Sequence, residues 1–394
     1  MIYLLNNPIK NFAWGSRDAI SRYFNIANPS NDHQAEVWMG AHPSASSTIT
    51  VNGTDYSLCE AISASPEYWL GKKAEQKDVS LPFLMKILAA EEPLSIQVHP
   101  SKGAAEQGYA EENKQGIPLD AAHRNYKDAN HKPELVYAIT PYLAMNGFRT
   151  FDQIIANFDT VNVASIKQLF APFKQVPNSA TLAGFFSSLL ALEGDAKKQA
   201  IQELLTSVES VDDNTSVTEA LSLIRRIQKL YPEDIGLFSP LFLNIIELQP
   251  GEAMFLYAET PHAYINGLGI EVMANSDNVL RAGLTPKHID VEELVSNTSF
   301  QPIEFEQLVL EPLSKDSHHV YLTPVDDFNF DVLNPQGELS ISMSSAEVLL
   351  CLSDSVTIST RTDSKVLQKG ESAILPAITE QYTVSGQGSL ARAY

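Results

Sequence analysis

Cysteine is nearly absent: Cys59 and Cys351 are the only two in 394 residues. They are too few and too far apart for a disulfide framework, which fits a reducing compartment, so a cytoplasmic location is expected. Long apolar runs are missing as well. No stretch reaches the ~18 residues of a membrane span, and the opening MIYLLNNPIKNFAWG lacks the basic start and long apolar segment of a secretory signal. Positive charge is scarce, with 27 Lys and Arg against 48 Asp and Glu and a formal net charge of −21. Such a surface repels nucleic acid and anionic membranes, and neither is expected as a partner. It also repels small phosphorylated molecules unless a local basic pocket overcomes the global field, so the few clustered cations carry information. Solubility is the plainer account of the acidity itself.

What is present is enough apolar content, 44%, for a packed globule, in a chain long enough for two or three domains. Residues 1 to about 148 read as short strands and turns. SSTITVNG and LPFLMKILAA are strand-like, Asn52-Gly53 signals a hairpin, and EPLSIQVHP and PELVYAIT add two strands. From 150 to about 232 the spacing becomes helical in SIKQLFAPF, ATLAGFFSSLLALEG, KKQAIQELLTSV and SVTEALSLIRRIQKLY. Leu221, Ile224, Ile227 and Leu230 form a stripe, with Gly194 and Pro232 as stops. A packed cover without chemistry is the expected role of this block. Strands return at Phe242. LQPGEAMFLYAETPHAYI (248–265) then repeats without a gap as LQKGESAILPAITEQYTV (367–384), which predicts two β-sandwich or jelly-roll units. His262 in the first copy is replaced by Gln381 in the second, so one unit is expected to be active and the other structural.

In PLSIQVHPSKG, Ser95, Gln97 and His99 alternate with Leu94, Ile96 and Val98, which in a strand gives one polar and one apolar face. GEAMFLYAETPHAY, with its Gly, Pro and His, resembles a metal-binding stretch of the cupin superfamily, and QVHP resembles part of a cupin metal strand. In HKPELVYAI, Pro133 holds Lys132 extended beside Glu134. Gln97, His99, Glu134 and His262 together offer two imidazoles, one carboxylate and one amide oxygen. That set suits Zn²⁺ with an exchangeable position, and also Fe²⁺, Mn²⁺ or Co²⁺. A single carboxylate leaves the centre net positive, which favours Lewis-acid chemistry.

On these residues the chain resembles the type I phosphomannose isomerases. The resemblance runs through PLSIQVHPSKG, HKPELVYAI and PHAYINGLGIEVMANSDNVLRAGLTPKHID, supported by WGSRDAI and EVWMGAHPS. It implies a mainly β fold of cupin-like jelly-roll barrels with an inserted helical domain. The expected division is 1–148 plus 240–315 as catalytic domain, 149–239 as helical insert and 316–394 as C-terminal β-domain. It further implies one Zn²⁺ per chain on Gln97, His99, Glu134 and His262, a catalytic Arg281, and interconversion of D-mannose 6-phosphate and D-fructose 6-phosphate through a cis-enediol. Arg281 is a poor base, so its expected part is to stabilise the enediolate. Glu271 and Lys132 are the protein's candidates for the base, beside a zinc-linked water. Ser95, Lys102 and Lys287 are the candidates for holding phosphate. The expected assembly is a monomer. A non-catalytic sugar-phosphate-binding cupin and an iron-dependent cupin oxygenase are the rival functions.

Overall fold

The computed structural model describes residues 1–75, 79–211, 217–315 and 317–394. The long strand His262–Ala274 organises the first β-domain. Its first half pairs with Tyr142–Phe148 and, at His262, with Ile96–Val98; its second half pairs with Phe83–Ala90 and Glu134–Ala138. One strand therefore passes between the two layers of a jelly roll. The bend falls at Gly267, where any side chain would strike the Tyr142 ring, 2.7 Å away. The remaining strands complete a 12-stranded sheet that runs out to Ile9–Lys10 at one edge and Val309–Leu310 at the other.

The C-terminal domain is a seven-stranded sheet facing a four-stranded one. The apolar core between them includes Leu349, Val356, Leu367, Tyr382 and Leu390. The other face of the seven-stranded sheet packs Phe330, Val348 and Ile374 onto Val37, Ile87 and Ile270 of the first domain. This sheet also takes in Tyr3–Leu4, paired with Ser372–Leu375, and begins at Leu313–Lys315. Asp316 itself lies outside the described residues, as does Ser216 at the head of the fourth helical run.

The sequence repeat is also a repeat of backbone structure. Leu243–Leu248, Ala253–Leu256 and His262–Ala274 correspond to Ser364–Gln368, Ser372–Leu375 and Gln381–Gly386. In each copy a Glu accepts from the Gln amide three residues earlier, Glu252 at 2.8 Å and Glu371 at 2.9 Å. Gly251 and Gly370 both take positive φ, 94° and 87°.

The helical block spans Phe151–Val161, Lys167–Gln175, Ser179–Leu190, Gly194–Ser210 and Thr218–Ile227. Two expectations fail here. Gly194 opens a helix instead of ending one, and the last helix stops at Ile227, so Leu230 leaves the buried stripe and is 44% exposed. The core of the block packs Phe158, Phe170, Phe185 and Phe242 against Ile96, Val98, Ala263, Ile265, Leu280 and Ala282. Those last six are the apolar sides of three adjacent strands, so the insert backs the layer whose other face lines the site.

Candidate metal centre

That layer comprises Ile96–Val98, the start of His262–Ala274, and Leu280–Gly283. Gln97 lies opposite His262 on one side and opposite Arg281 on the other. Neighbouring strands lie ~4.8 Å apart, so this single row carries two expected ligands and the expected catalytic arginine across roughly 10 Å. Alternation explains why their neighbours are apolar: Ile96, Val98, Ala263, Leu280 and Ala282 all turn to the helical insert. His99 departs from the alternation. It sits just past the strand, fully buried, with Nδ1 donating to the Asn278 carbonyl at 2.6 Å.

His99, Glu134 and His262 bring their donor atoms within 4.8 Å of one another, all three buried. The His262 Nδ1 donates to the Thr260 carbonyl at 2.9 Å. Both rings are thus fixed with Nδ1 protonated, and both Nε2 lone pairs turn towards Glu134, at 3.4 Å from His99 and 3.6 Å from His262. His99 Nε2 is buried without a hydrogen-bond partner among the described residues. Two imidazole lone pairs aimed at a carboxylate repel one another in a dry site, and a cation among them removes the repulsion. Second-nitrogen donation to backbone carbonyls is also how ligating histidines are held in one tautomer. The donor set therefore fits a divalent ion such as Zn²⁺, with the Gln97 amide facing the same cavity.

Electrostatics agree with neutral imidazoles and an ionised carboxylate. Burial, reinforced by His99, pushes His262 down to about 4 against the pull of Glu134. Burial and Lys132 likewise lower His99. Burial alone would raise Glu134, but the Lys132 ammonium, at 3.0 Å, holds it well below the usual carboxylate range. A stability prediction follows for the zinc-stripped protein. A histidine whose folded pKa lies below its unfolded value of ~6.5 gives full stability above that pH and loses it as acid approaches the folded value. Denaturant unfolding should show a loss of roughly 3 kcal/mol from His262 alone as pH falls from 6.5 towards 4. Glu134 adds its loss only below ~4.3. A flat profile between pH 6.5 and 4.5 would contradict the buried neutral rings.

The centre opens into a cavity of about 690 Å³ whose walls include Ser95, Gln97, Lys132, Glu134, His262, Glu271, Arg281 and Lys287. Eight of the ten expected site residues thus line one cavity, and His99 lies behind it against Glu134. Lys102 is the exception. It opens the helix Lys102–Lys114, and its ammonium is taken by the Ala129 carbonyl at 3.1 Å and Asn130 Oδ1 at 2.9 Å, away from the cavity wall. The Arg281 guanidinium makes no hydrogen bond or ion pair among the described residues. Burial alone lowers its pKa, and with Lys287 beside it the two present a cationic wall inside an acidic protein.

Lys86, Tyr264, Glu36 and Trp38 also line the cavity and were not foreseen. Lys86 is the lone charge in the otherwise apolar strand Phe83–Ala90, which was the available signal. Its ammonium bonds Glu271 at 2.6 Å, and Glu271 with Glu36 keeps it protonated despite burial. Glu271 is nevertheless raised, because burial and the nearby Glu134 charge outweigh the Lys86 cation. Tyr264 Oη lies 2.8 Å from Glu134 and 3.0 Å from Glu271. One hydroxyl proton serves only one of two carboxylates.

Three family models match the chain. They are phosphomannose isomerase type I, catalytic domain, over 2–151; its helical insertion domain over 155–243; and mannose-6-phosphate isomerase, cupin domain, over 317–394. The mannose-6-phosphate isomerase of Salmonella typhimurium is 47% identical over 392 residues, spanning 99% of this chain and 98% of that protein. The human one is 32% identical over 92% of this chain and 89% of its own length. Among solved structures, the Salmonella typhimurium isomerase bound to its substrate fructose 6-phosphate and to zinc is similar with a TM-score of 0.93 at 46% identity, covering 100% of this chain and 99% of that one.

Proposed function

This chain belongs to the type I phosphomannose isomerases, and from that premise we propose that its cavity interconverts D-mannose 6-phosphate and D-fructose 6-phosphate. The observation that carries this reading is the convergence of His99, Glu134 and His262 at a cavity that also holds Arg281, whose guanidinium has no partner among the described residues. These three residues and Gln97 would hold Zn²⁺, which when bound would supply Lewis-acid stabilisation of negative charge on the sugar oxygens.

The protein's own groups supply the rest. The reaction moves a proton between carbons 1 and 2 of the open-chain sugar, through a cis-enediol. Glu271 is assigned the proton transfer: its raised carboxyl, bonded to Lys86 and Tyr264, sits nearer neutrality than an ordinary glutamate. Taking the proton from carbon 2 and returning it to carbon 1, while the hydroxyl proton passes from O2 to O1, leaves Glu271 unchanged after a turnover. The Lys132 ammonium is engaged with Glu134 and serves the electrostatics of the centre instead of acting as base. Arg281 stabilises the oxyanion that develops as the proton leaves. Lys287, with Ser95, holds the phosphate, and Lys102 takes no part. We further assign the chain to the cytoplasm, consistent with its two free cysteines, and take it to act as a monomer.

Metal-replete protein incubated with mannose 6-phosphate in deuterated water should yield fructose 6-phosphate carrying solvent deuterium at carbon 1, with turnover abolished by a chelator and restored by zinc. Binding of the sugar phosphate without any exchange would identify a binding module and refute the isomerase reading.

A further inference from the structure

The helical insert does more than back the site. Tyr231, just past its last helix, lines the cavity and donates to the Pro93 carbonyl at 3.1 Å. Three residues on, the Asp234 carboxylate makes three hydrogen bonds. Its Oδ1 accepts from the amides of Gly236 at 2.7 Å and Leu284 at 2.8 Å, and its Oδ2 accepts from the amide of Thr285 at 3.2 Å. The first bond caps the short turn Ile235–Phe238, a task that needs one oxygen only. The other two cross to the segment that joins Arg281 to Lys287. There Leu284 is buried in the left-handed region, φ 53°, a conformation that a branched side chain disfavours. The two backbones meet without slack, since a Cβ on Gly283 would lie 2.8 Å from Gly236 Cα. Thr285 Oγ1 in turn accepts from the Lys287 amide at 3.1 Å. The segment is therefore pinned at one end by Arg281 opposite Gln97, and at the other by a carboxylate from the insert.

We propose that Asp234 is a positioning residue: by clamping Leu284 and Thr285 it fixes Lys287, which receives the phosphate-bearing end of the substrate. This rests on the reading of Lys287 as a phosphate-binding group. It gives the insert a part in substrate affinity and none in metal binding.

The test uses zinc-loaded, full-length protein carrying Asp234→Asn, Asp234→Ala, Leu284→Gly or the last two together. Asp234→Asn keeps the Oδ1 cap and loses the Oδ2 acceptor, so it perturbs the clamp with the least risk to folding. The expected results for Asp234→Ala are unchanged zinc content, faster amide exchange across residues 283–287, and a KM for mannose 6-phosphate raised about tenfold with kcat little altered, the loss of hydrogen bonds to a charged acceptor. Asp234→Asn should shift KM the same way by less. Because glycine adopts positive φ without help, Leu284→Gly should restore much of the KM in the Asp234→Ala background. A merely structural role would lower zinc content and kcat together and would show no glycine rescue; either result overturns the proposal. If Lys287→Ala raised KM while Asp234→Ala did not, the clamp alone would fail. If neither Arg281→Ala nor Lys287→Ala affected turnover or KM, the functional reading would fail instead, and with it the role given to Asp234.

Discussion

Replacing His262 by alanine is expected to remove metal and turnover together. The ring is one of three buried donors, and its Nδ1–H is already spent on Thr260, so its only remaining use is the lone pair facing Glu134. Without it, His99 and Glu134 are left with an incomplete coordination shell in a site that no other described cluster of histidine, cysteine or carboxylate replaces. Dialysed protein should fall from one zinc per chain to well below that. Turnover should drop by about three powers of ten, equal to some 4 kcal/mol of lost transition-state stabilisation. His99→Ala should behave alike. The strand that carries His262 is held by backbone pairing on both sides, so the far-ultraviolet dichroism should be preserved. A variant that turned over normally without its zinc would refute the role of the metal.

Arg281→Ala should separate what His262→Ala removes together. Arg281 shares a row with two proposed ligands, yet its guanidinium contacts neither carboxylate nor carbonyl among the described residues, so zinc content should stay at one per chain. Deleting a charge that acts only on the developing oxyanion should lower kcat by about 10²- to 10³-fold. With no ion pair broken, unfolding free energy should stay within roughly 0.5 kcal/mol of the parent. Arg281→Lys should recover part of the rate, since a point charge replaces a planar fork. Steady-state kinetics with metal analysis on the same samples checks all three statements. Normal turnover by Arg281→Ala would show that the arginine has another task.

The parts of this arrangement visible in the sequence are those written over short distances. Alternation in LSIQV gives a polar face at Gln97 and an apolar one at Ile96 and Val98, and the structure turns those faces to the cavity and to the insert. The repeat from 248 to 265 and 367 to 384 recurs as strand, turn and strand, because the glutamate-to-amide bond of each turn is local. Pairings between distant segments leave no comparable trace. Nothing near Gln97 announces that Arg281 lies directly across from it, or that Asp234 reaches Leu284. The helix Lys102–Lys114 was illegible for a different reason: Ala105 alone is buried, so no apolar stripe marks it. Lys86 was legible in principle, as one cation among eight buried strand residues, but a charge inside an apolar run signals a site only once its partners, Glu271 and Glu36, are known.

The most direct measurement is anomalous diffraction from crystals of the purified protein, recorded on both sides of the zinc absorption edge. A single strong peak is expected at ~2.0–2.2 Å from His99 Nε2, His262 Nε2 and a Glu134 oxygen, with the Gln97 amide oxygen in the same shell. A peak elsewhere in the chain, or metal held without the two imidazoles, would contradict the account.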